Sequence, residues 1–163
     1  MSDTEHRRDG IRLLGLLDTA NEAMLDEFRR DLEQAGYQDI RPTHGCVFRF
    51  VRDDGMRLTE LATLAGMTKQ SVGELVDDLV DLGYVERTPD PDDRRAKLIR
   101  LTEQGVKAQR TGFGLLAEIE ERWAERFGRE RINDLRETLE EIVAELAPHT
   151  VPELARQKPA AVG

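Results

Sequence analysis

The sequence is poorest in the residues on which most chemistry depends. One cysteine, Cys46, in 163 residues excludes an intrachain disulfide and suits a reducing compartment. The three histidines, His6, His44 and His149, are spread along the chain and do not suggest a metal site. No GxxxxGK[ST] or GxGxxG phosphate loop, G-x-S-x-G elbow, H-E-x-x-H or C-x-x-C occurs, so neither an enzyme nor a cofactor is indicated. Adjacent carboxylates such as Asp53-Asp54 and Glu120-Glu121 are the ordinary stuff of solvated faces. No apolar run approaches membrane-spanning length, and the polar residues 1–10 do not read as a secretory leader. The expectation is a cytoplasmic protein without a membrane partner. Aromatics make up only 5%, which leaves Leu, Val and Ala to pack a helical core. Positive charge is also short, with a net charge of −9. That counts against indiscriminate nucleic-acid binding, but not against a specific binder whose cations cluster on one face.

What is present is organised around residues 58–102, LTELATLAGMTKQSVGELVDDLVDLGYVERTPDPDDRRAKLIRLT. A short helix is expected over 59–65, with Thr59 as its cap and Gly66 as its stop, since glycine tolerates the left-handed conformation of helix ends. After Met67 in the turn, Thr68 is the next cap, and Val72, Leu75, Val76, Leu79 and Leu82 keep helical spacing to about Leu82. Two helices joined by such a turn form a helix-turn-helix, whose second helix enters the DNA major groove. Its leading residues suit that task. Gln70 can read adenine bidentately, Lys69 can reach a guanine or a phosphate, and Thr68 and Ser71 can bond to either. Gly73 would let the backbone approach closely. The bland alternative is an amphipathic helix whose polar face only meets water.

The following hairpin favours the first reading. Residues 84–88 (YVERT) and 96–101 (AKLIRL) have strand composition, and the turn-rich PDPDD at 89–93 lies between them. Arg94 and Arg95 at the tip suit a narrow, electronegative minor groove, nearby carboxylates can orient their guanidinium groups, and Lys97 and Arg100 can add phosphate contacts. One count opposes this. From Thr68 to Thr102, six basic residues (Lys69, Arg87, Arg94, Arg95, Lys97, Arg100) face eight acidic ones (Glu74, Asp77, Asp78, Asp81, Glu86, Asp90, Asp92, Asp93). DNA binding therefore requires the acids of the second helix to point away from phosphate, and steep weakening with salt is expected.

The segments LTELA (58–62), GMTKQS (66–71), LGYVER (82–87), DPDDRRAK (90–97) and LIRLT (98–102) resemble the MarR-type winged helix-turn-helix transcription regulators. The resemblance is specific over about forty-five residues and looser over 10–147. It implies a mainly α fold with a small β-wing, flanked by long N- and C-terminal dimerisation helices. It further implies a homodimer on a pseudo-palindromic operator in double-stranded DNA, most often a repressor. Carried over by position, Arg95 is the arginine that enters the minor groove, Arg94 its neighbour and Asp93 the wing aspartate. A small-molecule effector between the dimerisation helices and the DNA-binding lobe is also implied. His44 and Arg49 are candidates for that pocket by location alone.

The chain then divides into a loose arm (1–9), an N-terminal dimerisation helix (10–41), the winged helix-turn-helix (42–102), C-terminal dimerisation helices (103–147) and a loose tail (148–163). In the first helix Ile11, Leu14, Leu17, Met24, Leu25, Phe28 and Leu32 make an apolar stripe. A helix opens at Pro42-Thr43, and residues 52–56 form a turn. Beyond a cap at Thr102, Val106, Phe113, Leu116, Ile119, Trp123 and Phe127 make the apolar side of a long helix. Its Gly105, Gly112 and Gly114 point to a bend or a close helix contact. In the last helix Ile132, Leu135, Leu139, Ile142, Val143 and Leu146 keep the near-heptad spacing of a helix–helix seam. Two other readings compete: a redox-responsive regulator with Cys46 as sensor, and a winged-helix interaction module that does not bind DNA.

Overall fold

The computed structural model describes residues 12–147, so the expected arm, Ile11 and the expected tail lie outside the described residues. In chain order it contains α1 (Leu13–Gln34), a 3-10 turn (Pro42–His44), α2 (Gly45–Phe50), β1 (Met56–Arg57), α3 (Leu58–Ala65), α4 (Lys69–Asp81), β2 (Val85–Pro89), β3 (Lys97–Leu101), α5 (Glu103–Phe127) and α6 (Arg129–Leu146). The strands form one antiparallel sheet in the order β1-β3-β2. This is the mainly helical winged architecture that the sequence indicates.

The core of the lobe is assembled from the apolar stripes of α3 and α4. Leu61 on α3 and Val72, Val76 and Leu79 on α4 are fully buried, and they meet Val47 from α2, Met56 from β1 and Ile99 from β3. Burial of a side chain of that size contributes roughly 1.5–3 kcal/mol each. The two helices are therefore fixed to each other mainly by apolar packing. Gly66 ends α3 at φ 63°, the left-handed value that a side chain would resist. Thr68 then opens α4 with its hydroxyl accepting from the Ser71 N–H at 3.1 Å.

Several boundaries differ from expectation, each for a local reason. Thr59 is not a cap. Arg57 occupies the extended N-cap position of α3, and Thr59 is already helical, its carbonyl accepting from the Thr63 hydroxyl at 3.0 Å. The segment expected as a turn, 52–56, ends in β1, because Met56 pairs with Ile99 and Arg57 with Leu98. Helix α1 begins at Leu13 rather than near Gly10. The helix expected at Pro42 opens with a 3-10 turn before α2 proper. Tyr84 and Ala96 fall just outside their strands: the Tyr84 N–H still bonds the Leu79 carbonyl, and Ala96 closes the wing loop.

Helix α5 buries Ile119 and a strip of small residues. Gly105, Ala108, Gly112, Ile119 and Ala124 are its buried positions, while the larger Val106, Phe113 and Leu116 are only half-buried and Phe127 is exposed. The glycines mark close contact. A Cβ at Gly105 would lie 2.0 Å from the Tyr84 carbonyl oxygen, and one at Gly112 would touch the Phe28 ring at 3.4 Å; one at Gly114 would meet nothing. Polar contacts join α5 to the rest. The Gln109 amide donates to the Phe48 carbonyl at 2.6 Å, Trp123 Nε1 donates to Glu27 at 3.0 Å, and Arg122 bonds Glu27 at 3.2 Å and Asp31 at 2.7 Å. By contrast α6 buries none of its residues, and Leu13, Leu14 and Leu16 on α1 are exposed. Of the seam expected along α6, Ile132, Leu139 and Val143 are half-buried, while Leu135, Ile142 and Leu146 are exposed among the described residues.

Candidate nucleic-acid interface

Two features of the fold put cations at the surface: the start of α4 and the tip between β2 and β3. Thr68, Lys69 and Gln70 are exposed and Ser71 is half-buried, so all four sequence candidates lie on the accessible leading turn of α4. The first-turn N–H groups and the helix dipole add partial positive charge there. Gln70 Nε2 rests on Glu74 Oε1 at 3.3 Å and would have to leave it to read a base. Gly73 does not open the backbone outward as expected. A Cβ there would meet Leu58 Cδ2 at 3.7 Å, so this position belongs to the α3–α4 contact.

At the tip, Arg94, Arg95 and Lys97 are exposed. The loop is closed by the Asp90 N–H bonding the Ala96 carbonyl at 3.1 Å and by the Ala96 N–H bonding the Asp93 carbonyl at 2.9 Å. The Asp93 carboxylate accepts from the backbone N–H of Arg95 at 3.0 Å. It therefore shapes the chain under the arginines and does not grip their guanidinium groups, as was expected of the nearby carboxylates. Arg100 behaves differently from Lys97. Its side chain is half-buried and folds over Gly55, where a Cβ would lie 2.8 Å from Arg100 Cγ.

An arginine–carboxylate pair lies instead at the wing's root. Arg57 Nε and Nη2 donate to Asp90 Oδ2 at 2.8 and 2.6 Å, and the Asp92 N–H donates to Asp90 Oδ1 at 2.9 Å. Asp90 is only 6% exposed. The Asp92 N–H, and then the Arg57 guanidinium, hold its carboxyl below the usual carboxylate range. Sequence reasoning missed this pair because Arg57 lies 33 positions upstream, in a two-residue strand that leaves no periodic signal.

Arginine pairing answers the acidic count in part, at Asp77, Asp78 and Asp90. On α4, Asp77 is paired with Arg87 of β2 and Asp78 with Arg41 of the α1–α2 linker. No carboxylate among the described residues lies within ion-pair distance of Lys69, Arg94, Arg95 or Lys97. Arginines 41, 57 and 87 thus neutralise acids, while the four candidate contact cations carry free charge.

The two effector-pocket candidates are not brought together. Arg49 is exposed, its guanidinium 5.0 Å from the Phe50 ring centroid. His44 is 1% exposed, with Nδ1 accepting from the Arg41 N–H at 3.1 Å and Nε2 lying 3.6 Å from Asp78 Oδ2. It sits beneath a shallow depression of about 370 Å³ lined by Asp39, Arg41, His44, Asp78, Asp81 and Leu82. Three carboxylates make that lining a poor match for an anionic effector.

Burial, and then the Arg41 charge, depress the His44 pKa, against a smaller opposing pull from Asp78 and Asp39. A depressed histidine pKa means that the unfolded chain takes up the proton first, so stability is full above about pH 6.5 and falls as pH drops below it. The urea midpoint of the wild type is accordingly expected to drop more between pH 8 and pH 5 than that of His44→Asn, whose side-chain oxygen can still accept from Arg41. Equal drops would remove His44 from the acid response. Burial also raises the Cys46 thiol pKa, and its Sγ contacts the Thr43 carbonyl at 3.5 Å. A thiol kept protonated is a weak nucleophile, which disfavours the redox reading.

Comparison with known proteins agrees with this geometry. A family model described as MarR family matches residues 38–96, from the α1–α2 linker to the wing tip. A curated relative, the HTH-type transcriptional regulator PetP of Rhodobacter capsulatus, is 33% identical over 81 residues; the match spans 50% of this chain and 48% of that protein. The crystal structure of a MarR-family transcriptional regulator from Rhodococcus sp. RHA1 superposes with a TM-score of 0.66 at 26% identity, covering 86% of this chain and 96% of that one. CouR from Rhodococcus jostii RHA1, solved bound to p-coumaroyl-CoA, gives 0.63 at 28% identity over 78% and 88% of the two chains. Among the described residues, no helix is long and apolar enough to cross a membrane.

Proposed function

We propose, from the premise that this chain belongs to the MarR family of transcriptional regulators, that it acts as a homodimer on a pseudo-palindromic operator, as a cytoplasmic repressor released by a small molecule. In this reading residues 42–102 bind DNA, while α1, α5 and α6 dimerise. The observation that carries the DNA half is the division of charge: Asp77 and Asp78 of α4 are tied to Arg87 and Arg41, and Lys69, Arg94, Arg95 and Lys97 are left free at the leading turn and the wing tip. Thr68, Lys69, Gln70 and Ser71 would contact the major groove. Arg94 and Arg95, carried by the turn that Asp93 shapes, would enter the flanking minor groove, with Lys97 on phosphate. Support for the dimer is the uncovered apolar surface of α6 and of the start of α1, since a water-facing helix pair of this kind calls for a partner. A two-fold axis would present two α4 helices roughly 34–36 Å apart, one turn of DNA.

Effector release is supported by analogy with CouR, whose structure holds p-coumaroyl-CoA. An effector could act only by binding better to a dimer whose α4 helices no longer match the operator spacing. The test of the whole reading is selection of sites from random duplex DNA at low salt. Recovery of a two-fold-symmetric site with half-sites about one turn apart is expected. Absence of any enrichment would refute DNA binding and return the chain to the interaction-module reading.

A further inference from the structure

The wing is attached to the lobe by an unusually short third strand. Strand β1 pairs with β3 through only Met56 and Arg57, and Arg57 is at once its last residue and the N-cap of α3. In register, Arg57 lies beside Leu98, and Leu98 beside Thr88, so these three share one sheet face. The Arg57 side chain therefore reaches from the β1 edge past β3 to Asp90, the residue that follows β2. It joins the first turn of the helix-turn-helix to the loop that carries the tip arginines.

The pair differs from an ordinary surface ion pair. An exposed lysine–glutamate contact adds little, because water solvates both partners and two flexible side chains must be ordered. Here the acceptor is almost fully buried, two N–H donors of one guanidinium converge on a single carboxylate oxygen, and the other carboxylate oxygen holds the loop backbone at Asp92. Two donors from one rigid, planar guanidinium fix direction as well as distance. A lysine could supply the charge but not this rigid pair of donors.

We propose that Arg57 is a positioning residue for the wing: by gripping Asp90 it sets the angle at which Arg94 and Arg95 are presented, without touching DNA itself. This rests on the DNA-binding reading above. The test uses the full chain on its selected operator, with affinity measured across a salt series for wild type, Arg57→Ala, Arg57→Lys and Asp90→Asn. The Asn variant keeps an acceptor for the Asp92 N–H, so it serves should Arg57→Ala fail to fold. Arg57→Ala and Asp90→Asn are expected to weaken specific binding about tenfold, with the slope of log K against log salt unchanged, because no phosphate contact is lost. Arg57→Lys should recover only part of the loss. The Arg57→Ala effect should vanish in an Asp90→Asn background, and the Arg95 and Ala96 amides should exchange faster in both single variants. A slope reduced by about one would make Arg57 a phosphate contact and overturn the proposal. So would operator binding by Arg57→Ala and Asp90→Asn equal to wild type. Those outcomes leave the DNA-binding reading intact, whereas failure of the wild type to bind any duplex removes both.

Discussion

Replacing Arg94 and Arg95 together by alanine is expected to weaken operator binding about a hundredfold while leaving the fold intact. Loss of a well-placed arginine contact costs about 1–3 kcal/mol, and 1.4 kcal/mol is tenfold in affinity, so two contacts near the low end give that figure. The tip should survive because its shape rests on backbone bonds and on Asp90 and Asp93, neither of which uses the Arg94 or Arg95 side chain. Two controls make the result specific. Lys69→Ala should weaken binding less and lower the salt slope by about one, as for a single phosphate contact. Arg49→Ala, on the exposed side of α2, should leave operator binding unchanged. Binding isotherms at several salt concentrations, beside a urea midpoint, separate lost contacts from lost structure. A double variant that binds within twofold of wild type would remove the wing from the interface.

The second large effect concerns stability and sets two glycines of one helix against each other. Gly105→Ala is expected to destabilise the lobe by about 2 kcal/mol, and Gly114→Ala to stabilise it by up to about 1 kcal/mol. Alanine is intrinsically the better helix former by roughly 1 kcal/mol, so propensity favours both substitutions. At Gly105 sterics oppose it: the new methyl would lie 2.0 Å from the Tyr84 carbonyl oxygen and 3.3 Å from Leu101 Cβ. That carbonyl cannot withdraw freely, because it accepts the Thr102 N–H at 3.0 Å, and the Thr102 hydroxyl both donates to the Gly83 carbonyl at 2.6 Å and caps Gly105. Overpacking against backbone costs about 1–3 kcal/mol and occasionally more, which exceeds the propensity gain. At Gly114 the site is open, so only the propensity term remains. Urea denaturation of the two variants decides the matter, and a Gly105→Ala protein as stable as wild type would show that α5 is not seated on the Tyr84 carbonyl.

The parts of this molecule that could be read from its sequence are those specified by neighbouring residues. Gly66 and the Thr68 cap mark the turn between α3 and α4 because a left-handed residue and a side-chain acceptor are strictly local requirements. The stripe from Val72 to Leu79 gave the buried side of α4 for the same reason. What escaped was set by contacts between distant segments. Arg57 and Asp90 are joined across 33 positions, and β1 is too short to show alternation. The pairing of Asp77 and Asp78 with Arg87 and Arg41 needs the sheet and the α1–α2 linker in place before it can be seen. On α5 the buried Ile119 and the close contacts at Gly105 and Gly112 were legible, but Val106, Phe113 and Leu116 are only half-buried and do not make the packed side that their spacing indicates. His44 and Arg49, close in sequence, face opposite environments because five helical residues carry a side chain roughly 140° from its starting face.

The uncovered length of α6 bears on how this protein would respond to its own abundance. A helix with none of its residues fully buried among the described residues contributes little stability until something covers it. If the cover is a second copy, folding and association become one equilibrium, and mass action links thermal stability to protein concentration. The melting temperature should then climb with each tenfold increase in concentration. A cell holding few copies would keep part of its pool as loosely held single chains, open to proteolysis. Occupancy of the operator would fall faster than copy number, so that the steepness of the regulatory response would be set by a helix that never approaches DNA.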